Sequence, residues 1–360
     1  MKRYDNIQIL RVLACLGVYM THVAPKMGVT GAWAKIANFG ASGVYLFFLI
    51  SAFLACDASS LWQAGAKSES RTALLSYYIR RAFRLLPLYY AIILYHFLLH
   101  TFLLQDVPPD PAGLGWLRYL FLTNAVLPAP DNFWGNLSGT WTISLFAAFY
   151  LCAPLLVRAA GATKAGKCNP VRAIWLYAAS LLLQQVWIRQ SFSEYMMFFY
   201  YLHFFILGIL LYQLAACYFP AAAAGRFVLI CSGAGLALHY MAGEIPYFTA
   251  ISWLFGFILL LSLHFSWDKA AANHRKKSLF PMGQALLKIL DTHSYGIYLV
   301  HEVIVEGIVL IQARVHLEGL LVFLIITLLT IVGTYIAHKW IEVPMQRLGK
   351  TLTQRISSHG

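Results

Sequence analysis

An arginine and a histidine eleven residues apart, Arg11 and His22, interrupt the first long apolar stretch of the chain. Eleven helical residues turn through about 1100°, three full turns plus about 20°, so both side chains share one face about 16 Å apart along the axis. An arginine inside a membrane span costs about 2.5 to 3.5 kcal/mol on insertion scales, so Arg11 is expected to face protein or water. One groove then presents a guanidinium in its inner half and an imidazole near its outer end. An imidazole of ordinary pKa about 6.5 can take a proton from a hydroxyl, or be acylated itself, near neutral pH. A snorkelling arginine and an interfacial histidine also fit the spacing.

A late apolar stretch carries His301, Glu302 and Glu306. The glutamates share a face at i,i+4 and His301 is turned 100° from Glu302, so this segment needs a polar cavity or mutual pairing; a buried polar pair joining two helices is the simpler alternative. Metal binding by His22, His301 and the two glutamates is chemically allowed but lacks an HExxH-type spacing, and no metal is expected. Earlier, Arg80, Arg81 and Arg84 lead into a span, Arg80 and Arg84 on one face with Arg81 beside them. Guanidinium groups so placed suit phosphates by charge and bidentate bonding, although any juxtamembrane segment carries such charges. Of the remaining histidines, His96, His100, His203, His239 and His264 read as hydrogen-bonded core or interface residues; among these five His203, in the aromatic run from Tyr200 to Gly208, is the one that could do more.

The elements that position these groups follow from composition. The chain has 360 residues, 60% apolar and 11% charged, where a soluble domain carries about 25% charge, so a membrane protein is the default reading. Ten apolar stretches reach spanning length, at 6–24, 40–57, 86–105, 141–158, 173–189, 196–216, 227–243, 247–266, 293–312 and 319–338. The piece from Trp116 to Leu127 is too short to cross and reads as re-entrant or interfacial. With the N-terminus inside, 21 of the 27 Lys and Arg fall in cytoplasmic segments, five fall outside, and Arg11 lies within the first span. Both termini are then cytoplasmic, and the net charge of +13 follows from topology without a nucleic-acid partner. The first apolar segment reads as a retained helix rather than a cleaved signal, since Arg11 interrupts it. Six cysteines without CxxC spacing read as small core residues, and the aromatic stripes as lipid-facing and interfacial belts. Pro108 to Pro111 and Pro128 to Thr140 read as outward loops. The fold expected is an all-α integral membrane bundle over residues 1–345 and a cytoplasmic basic tail over 346–360, an interfacial helix running into a loose end.

Five motifs in one order resemble the membrane-bound acyltransferase 3 family. They are Arg11 with His22; the run Gly43 to Phe53, with Ala52 where the family has glycine; Arg80-Arg81-x-x-Arg84-x-x-Pro87-x-Tyr89-Tyr90; Ser294-Tyr295-Gly296-x-Tyr298-Leu299-x-His301; and Ile341-Glu342-x-Pro344. The resemblance covers nearly the whole chain. It implies O-acylation of bacterial surface glycans or related acceptors, in the bacterial inner membrane. Acyl-CoA, acetyl-CoA in the first instance, is the implied co-substrate, and a glycan or lipid-linked sugar hydroxyl the acceptor. His22 is expected as general base with Arg11 beside the thioester. Arg80, Arg81 and Arg84 are expected on the coenzyme A phosphates, and Ser51, Tyr298, His301, Glu302 and Glu306 around the oxyanion or acceptor. Two positions depart from the family pattern: Phe146 stands where many members have glutamate, and Gln8 replaces an aspartate three residues before the arginine. Mechanisms using those two carboxylates cannot operate here, and the glutamates at 302 and 306 are the candidates to compensate. The rival class is a transporter or glycan-export partner, since ionisable residues at mid-membrane depth also describe carriers.

Overall fold

A computed structural model describes residues 5–57, 67–105, 115–126, 139–161, 169–189, 198–218, 254–256, 258–259, 281–315 and 319–359. All regular structure among them is helical: α1 Asp5–Val23, α2 Gly31–Phe39, α3 Gly43–Asp57, α4 Lys67–Leu98, α5 Gly115–Leu120, α6 Thr140–Ala159, α7 Pro170–Arg189, α8 Phe198–Tyr218, α9 Pro281–Gln312, α10 Gly319–Ala337 and α11 Val343–His359. Six helical stretches among these residues are long and apolar enough to cross a membrane: Ile7–Met27, Gly31–Cys56, Arg71–Leu104, Thr140–Ala159, Met282–Gln312 and Gly319–Ser358. The expected spans at 227–243 and 247–266, the outward loops, Cys168, Cys231, His239 and His264 lie wholly or almost wholly outside the described residues.

Small residues let α1 lie directly on α2 and α3. A Cβ on Gly40 would overlap the Gly17 carbonyl, and one on Gly43 would come within 2.5 Å of the Ala14 carbonyl oxygen. In a membrane, where lipid is as apolar as leucine, such backbone approach is a main source of helix association. Thr21 Oγ1, 2.7 Å from the Ala37 carbonyl oxygen, donates across the same seam. Gly208 of α8 meets the Leu49 carbonyl of α3 in the same manner. These contacts make α3 the central helix, buried along Phe48, Leu49, Ile50, Ala52 and Phe53.

That position moves part of the expected aromatic belts inward, while Trp33, Phe102, Phe121, Trp175 and Trp340 remain exposed. Phe48, Phe53, Phe149, Tyr201, Phe204 and Phe205 are each at most 2% exposed, and Phe149 stacks on Phe205 with centroids 4.4 Å apart. They fill the centre because α3 is surrounded by α1, α6 and α8, and none of its described side chains is exposed. The outer surface carries aliphatic stripes beside those exposed aromatics. On α10, Leu320, Leu324, Leu328 and Ile331 are exposed, while Val322, Ile326, Thr330 and Thr334 face inward at helical spacing.

Two further differences concern helix ends. The helix that carries the third span begins at Lys67, well before the expected apolar stretch 86–105, and continues through Pro87, so Arg80, Arg81 and Arg84 ride on the same helix as the membrane segment. The C-terminal segment is helical to His359 rather than a loose end. It stays ordered because it packs on α4, where a Cβ on Gly349 would lie 2.8 Å from Phe83 Cβ. Glu342, buried in the turn before α11, pairs with His338 at 2.8 Å.

Candidate functional site

The face of α1 that carries Arg11 and His22 lies against α9, and each residue meets a carboxylate there. Arg11 Nη2 is 2.7 Å from Asp291 Oδ2, and His22 Nε2 is 3.1 Å from Glu302 Oε1. The carboxylates are themselves eleven residues apart. Two helices with the same spacing, running in the same direction, thus form two rungs about 16 Å apart. Between the rungs Cys15 Sγ–H donates to the Ser294 carbonyl at 3.4 Å. Asp291 is absent from the site residues expected from sequence, although its distance from Glu302 repeats that from Arg11 to His22. Arg11 thus takes a carboxylate from α9, and position 8, a turn before it on α1, is glutamine.

At the His22 rung, Glu302 lies between two imidazoles. His301 Nε2 is 3.7 Å from the same oxygen, and the His22 and His301 rings meet edge to face at 5.4 Å. His301 Nδ1–H donates to the Ile297 carbonyl at 2.8 Å, which assigns the lone pair to Nε2. With its proton on Nε2, 3.1 Å from the Glu302 carboxylate, the His22 ring keeps a lone pair on Nδ1, the arrangement in which a carboxylate balances an imidazole base. The His22 side chain remains 31% exposed, against 1% for His301. His22, His301 and Glu302 are also close enough to hold a metal ion together.

At the other rung a cavity of about 830 Å³, its mouth included, opens between α1, α3, α4, α6 and α9. Arg11, Arg81, Arg84, Ser51, Thr142, Ser294 and Tyr298 supply its polar lining, and Val44, Phe47, Ile50, Leu54 and Phe146 an apolar wall. Phe146, the residue standing in for the family's glutamate, therefore faces the cavity as a hydrophobic surface. Arg81 lies over the Tyr150 ring, its Cζ 4.5 Å from the centroid. Arg80 does not line the cavity. The pair that shares the cavity is thus Arg81 and Arg84 at i,i+3, rather than Arg80 and Arg84, because the cavity lies on the Arg81 side of α4.

His22 is not part of the cavity lining; the lining ends at Thr142 and Tyr298. The Tyr298 hydroxyl is 2.9 Å from Thr142 Oγ1 and 3.4 Å from the Gly139 carbonyl oxygen, and its ring centroid is 6.1 Å from that of His301. Tyr298 therefore stands between the arginine-lined chamber and the His22 group.

Glu306 does not join this site. One turn beyond Glu302 it meets α4, with His96 Nδ1 at 3.1 Å and His100 Nε2 at 3.2 Å. The i,i+4 step turns the side chain by 40°, enough to exchange α1 for α4 as neighbour. His96 and His100, expected as ordinary core histidines, thus form a second imidazole–carboxylate group. Their i,i+4 spacing in an otherwise apolar segment is the signal in the sequence that could have found them. His203 is fully buried, its Nδ1–H donating to the Tyr200 carbonyl at 3.1 Å beside Phe204; it takes no part in either group.

Comparison with known proteins places this geometry in a family. Acyltransferase MdmB of Streptomyces mycarofaciens is 29% identical over 194 residues, an alignment covering 50% of this chain and 44% of that protein; the chain thus spans less than half the length of this relative. No solved structure matches the chain. The acyltransferase domain model of the acyltransferase 3 family matches residues 4–339. That stretch holds both rungs, the arginine-lined chamber and the histidine groups, and the chain belongs to the acyltransferase 3 family.

Proposed function

We propose that this protein is a membrane-embedded acyltransferase that moves an acyl group, acetyl in the first instance, from acyl-CoA to a hydroxyl of a glycan or lipid-linked sugar. The observation that carries the reading is the two-rung pairing of α1 with α9. It sets an oriented imidazole at one end of a groove whose other end opens into a chamber holding three guanidinium groups. Arg81 and Arg84, with Arg80 outside the chamber, suit the coenzyme A phosphates, and the apolar wall from Val44 to Leu54 suits a long thin pantetheine arm.

In the reaction, the acceptor oxygen forms a C–O bond to the thioester carbonyl carbon while its proton passes to His22 Nδ1. Collapse of the tetrahedral oxyanion breaks the C–S bond, and the thiolate leaves with the proton from His22 as free coenzyme A. Glu302 holds the ring in the required tautomer and balances the imidazolium that forms. Arg11, Ser51 and Tyr298 line the chamber as candidate oxyanion donors, and Tyr298 is the nearest to the histidines. Because Tyr298 stands between chamber and imidazole, the thioester reaches His22 when that side chain swings aside. A two-step route through acyl-His22 uses the same residues. The accompanying topology has ten spans with both termini cytoplasmic, in a bacterial inner membrane, with the donor entering from the basic inner face.

The test is incubation of purified protein with labelled acetyl-CoA and a glycan acceptor, following free thiol and label on the glycan. Wild-type protein is expected to do both and His22→Ala neither, with unchanged membrane insertion. Glycan movement across vesicles without thiol release would instead identify the carrier class, and wild-type turnover by His22→Ala would remove the base assignment.

A further inference from the structure

The second imidazole–carboxylate group supports an inference that does not depend on the proposed reaction. His96 of α4 and His100 of the π-helical turn that continues it stand four residues apart, and Glu306 of α9 reaches both, one oxygen to each. The side chains are 1%, 5% and 4% exposed. The two rings lie 21° from parallel with centroids 6.0 Å apart, and one donor atom from each residue falls within 4.8 Å of the others. His100 belongs to the π-helical turn Leu99–Leu104 that ends α4, a distortion found often at functional sites.

A hydrogen-bonded network alone leaves this cluster incomplete. His96 Nδ1 and Glu306 Oε2 are 3.1 Å apart, yet among the described residues neither has a hydrogen-bond partner. The direction of the ring nitrogen misses the oxygen, as it does when both atoms serve a third centre. Leaving such groups unsatisfied in a buried site costs about 1 to 3 kcal/mol each, more where charge is involved. Tetrahedral zinc, with bonds of about 2.0 to 2.2 Å to imidazole nitrogen and carboxylate oxygen, sets neighbouring ligand atoms about 3.3 to 3.5 Å apart. The observed 3.1 and 3.2 Å need only a small opening.

We propose that His96 Nδ1, His100 Nε2 and the Glu306 carboxylate bind a zinc ion that ties α4 to α9. Two imidazoles and one carboxylate favour zinc over magnesium or calcium, which prefer all-oxygen shells. With these three ligands from the described residues, one tetrahedral position remains for a further donor such as water. The burial of all three side chains makes this a structural ion rather than a substrate-binding one.

Full-length protein in detergent micelles, stripped with a chelator and titrated with cobalt(II), is expected to bind about one ion per chain and to develop the visible absorption of a tetrahedral cobalt site. Zinc should displace the cobalt and raise the Tm of the stripped protein. Both responses should persist in His22→Ala, which disables the other three-residue group, and be lost in monodisperse His96→Asn or Glu306→Gln. Absence of cobalt binding and of a zinc-induced Tm rise in the wild type overturns the proposal without reference to any variant. Loss of the signal in His22→Ala, or its retention in both ligand variants, overturns it as well.

Discussion

Glu302 and Glu306 stand one turn apart on α9 and each meets two histidines, yet the groups they organise differ in every respect that matters for chemistry. The Glu302 group draws His22 from α1 and His301 from its own helix, and its outer imidazole is 31% exposed beside a chamber lined by guanidinium groups. The Glu306 group draws its imidazoles from α4 and the π-helical turn that continues it, and is sealed. An imidazole that exchanges protons with a substrate must keep a reachable nitrogen. One that braces two helices is better with none. On the proposed assignments, the same side chains serve turnover or structure according to which neighbour closes over them.

The largest expected effect breaks the comparison on its open side. His22→Ala should lower acyl transfer by about 10² to 10⁴-fold, the range of a general base, with expression and membrane insertion unchanged; label transfer checks it. On the closed side, Glu306→Gln removes one partner of a buried charged group and should destabilise the fold by about 3 kcal/mol or more, read as a lower Tm, while the folded enzyme keeps its KM for acyl-CoA. Glu302→Gln keeps the shape of the open group but weakens the orientation of His22. Its kcat should fall about 10 to 100-fold with little change in that KM, and an equal rise in KM would mean that Glu302 binds donor rather than positions the base. Arg84→Ala should raise the KM for acyl-CoA about 10-fold, the size of one charge-assisted phosphate contact, whereas Arg80→Ala outside the chamber should change it less. Equal effects of the two would place the phosphates at the rim. Tyr298→Phe should have the smallest effect, within about 1 kcal/mol of transition-state binding; a fall in kcat of about 100-fold or more would single out its hydroxyl among the candidate oxyanion donors.

Much of this is legible in the chain itself. The helical period places Arg11 and His22 on one face, and the cost of charge in lipid turns that face inward; both residues lie against α9. The family motifs are readable too, and Arg81, Arg84, Ser51 and Tyr298, nominated from them, line one chamber. Asp291 escapes the motif reading despite its repeated eleven-residue spacing. His96 and His100 look ordinary in sequence because a histidine in an apolar helix has many satisfactory environments. The aromatic segments look lipid-facing because apolar pattern alone does not separate a helix packed on all sides from one facing acyl chains.

By itself the sequence determined the class of molecule, the family, and the direction of each polar side chain about its own helix axis, since composition, motif order and a period of 3.6 residues are local properties. Only the tertiary structure decided which helix stands opposite each direction. It sent Glu302 to α1 and Glu306 to α4, gave Arg11 a carboxylate from 280 residues away, and turned Phe48 and Phe205 into the core. In a bilayer apolar side chains gain little by exchanging lipid for protein, so the pairings rest on close backbone approach and on polar groups finding one another, and both depend on the whole assembly of helices.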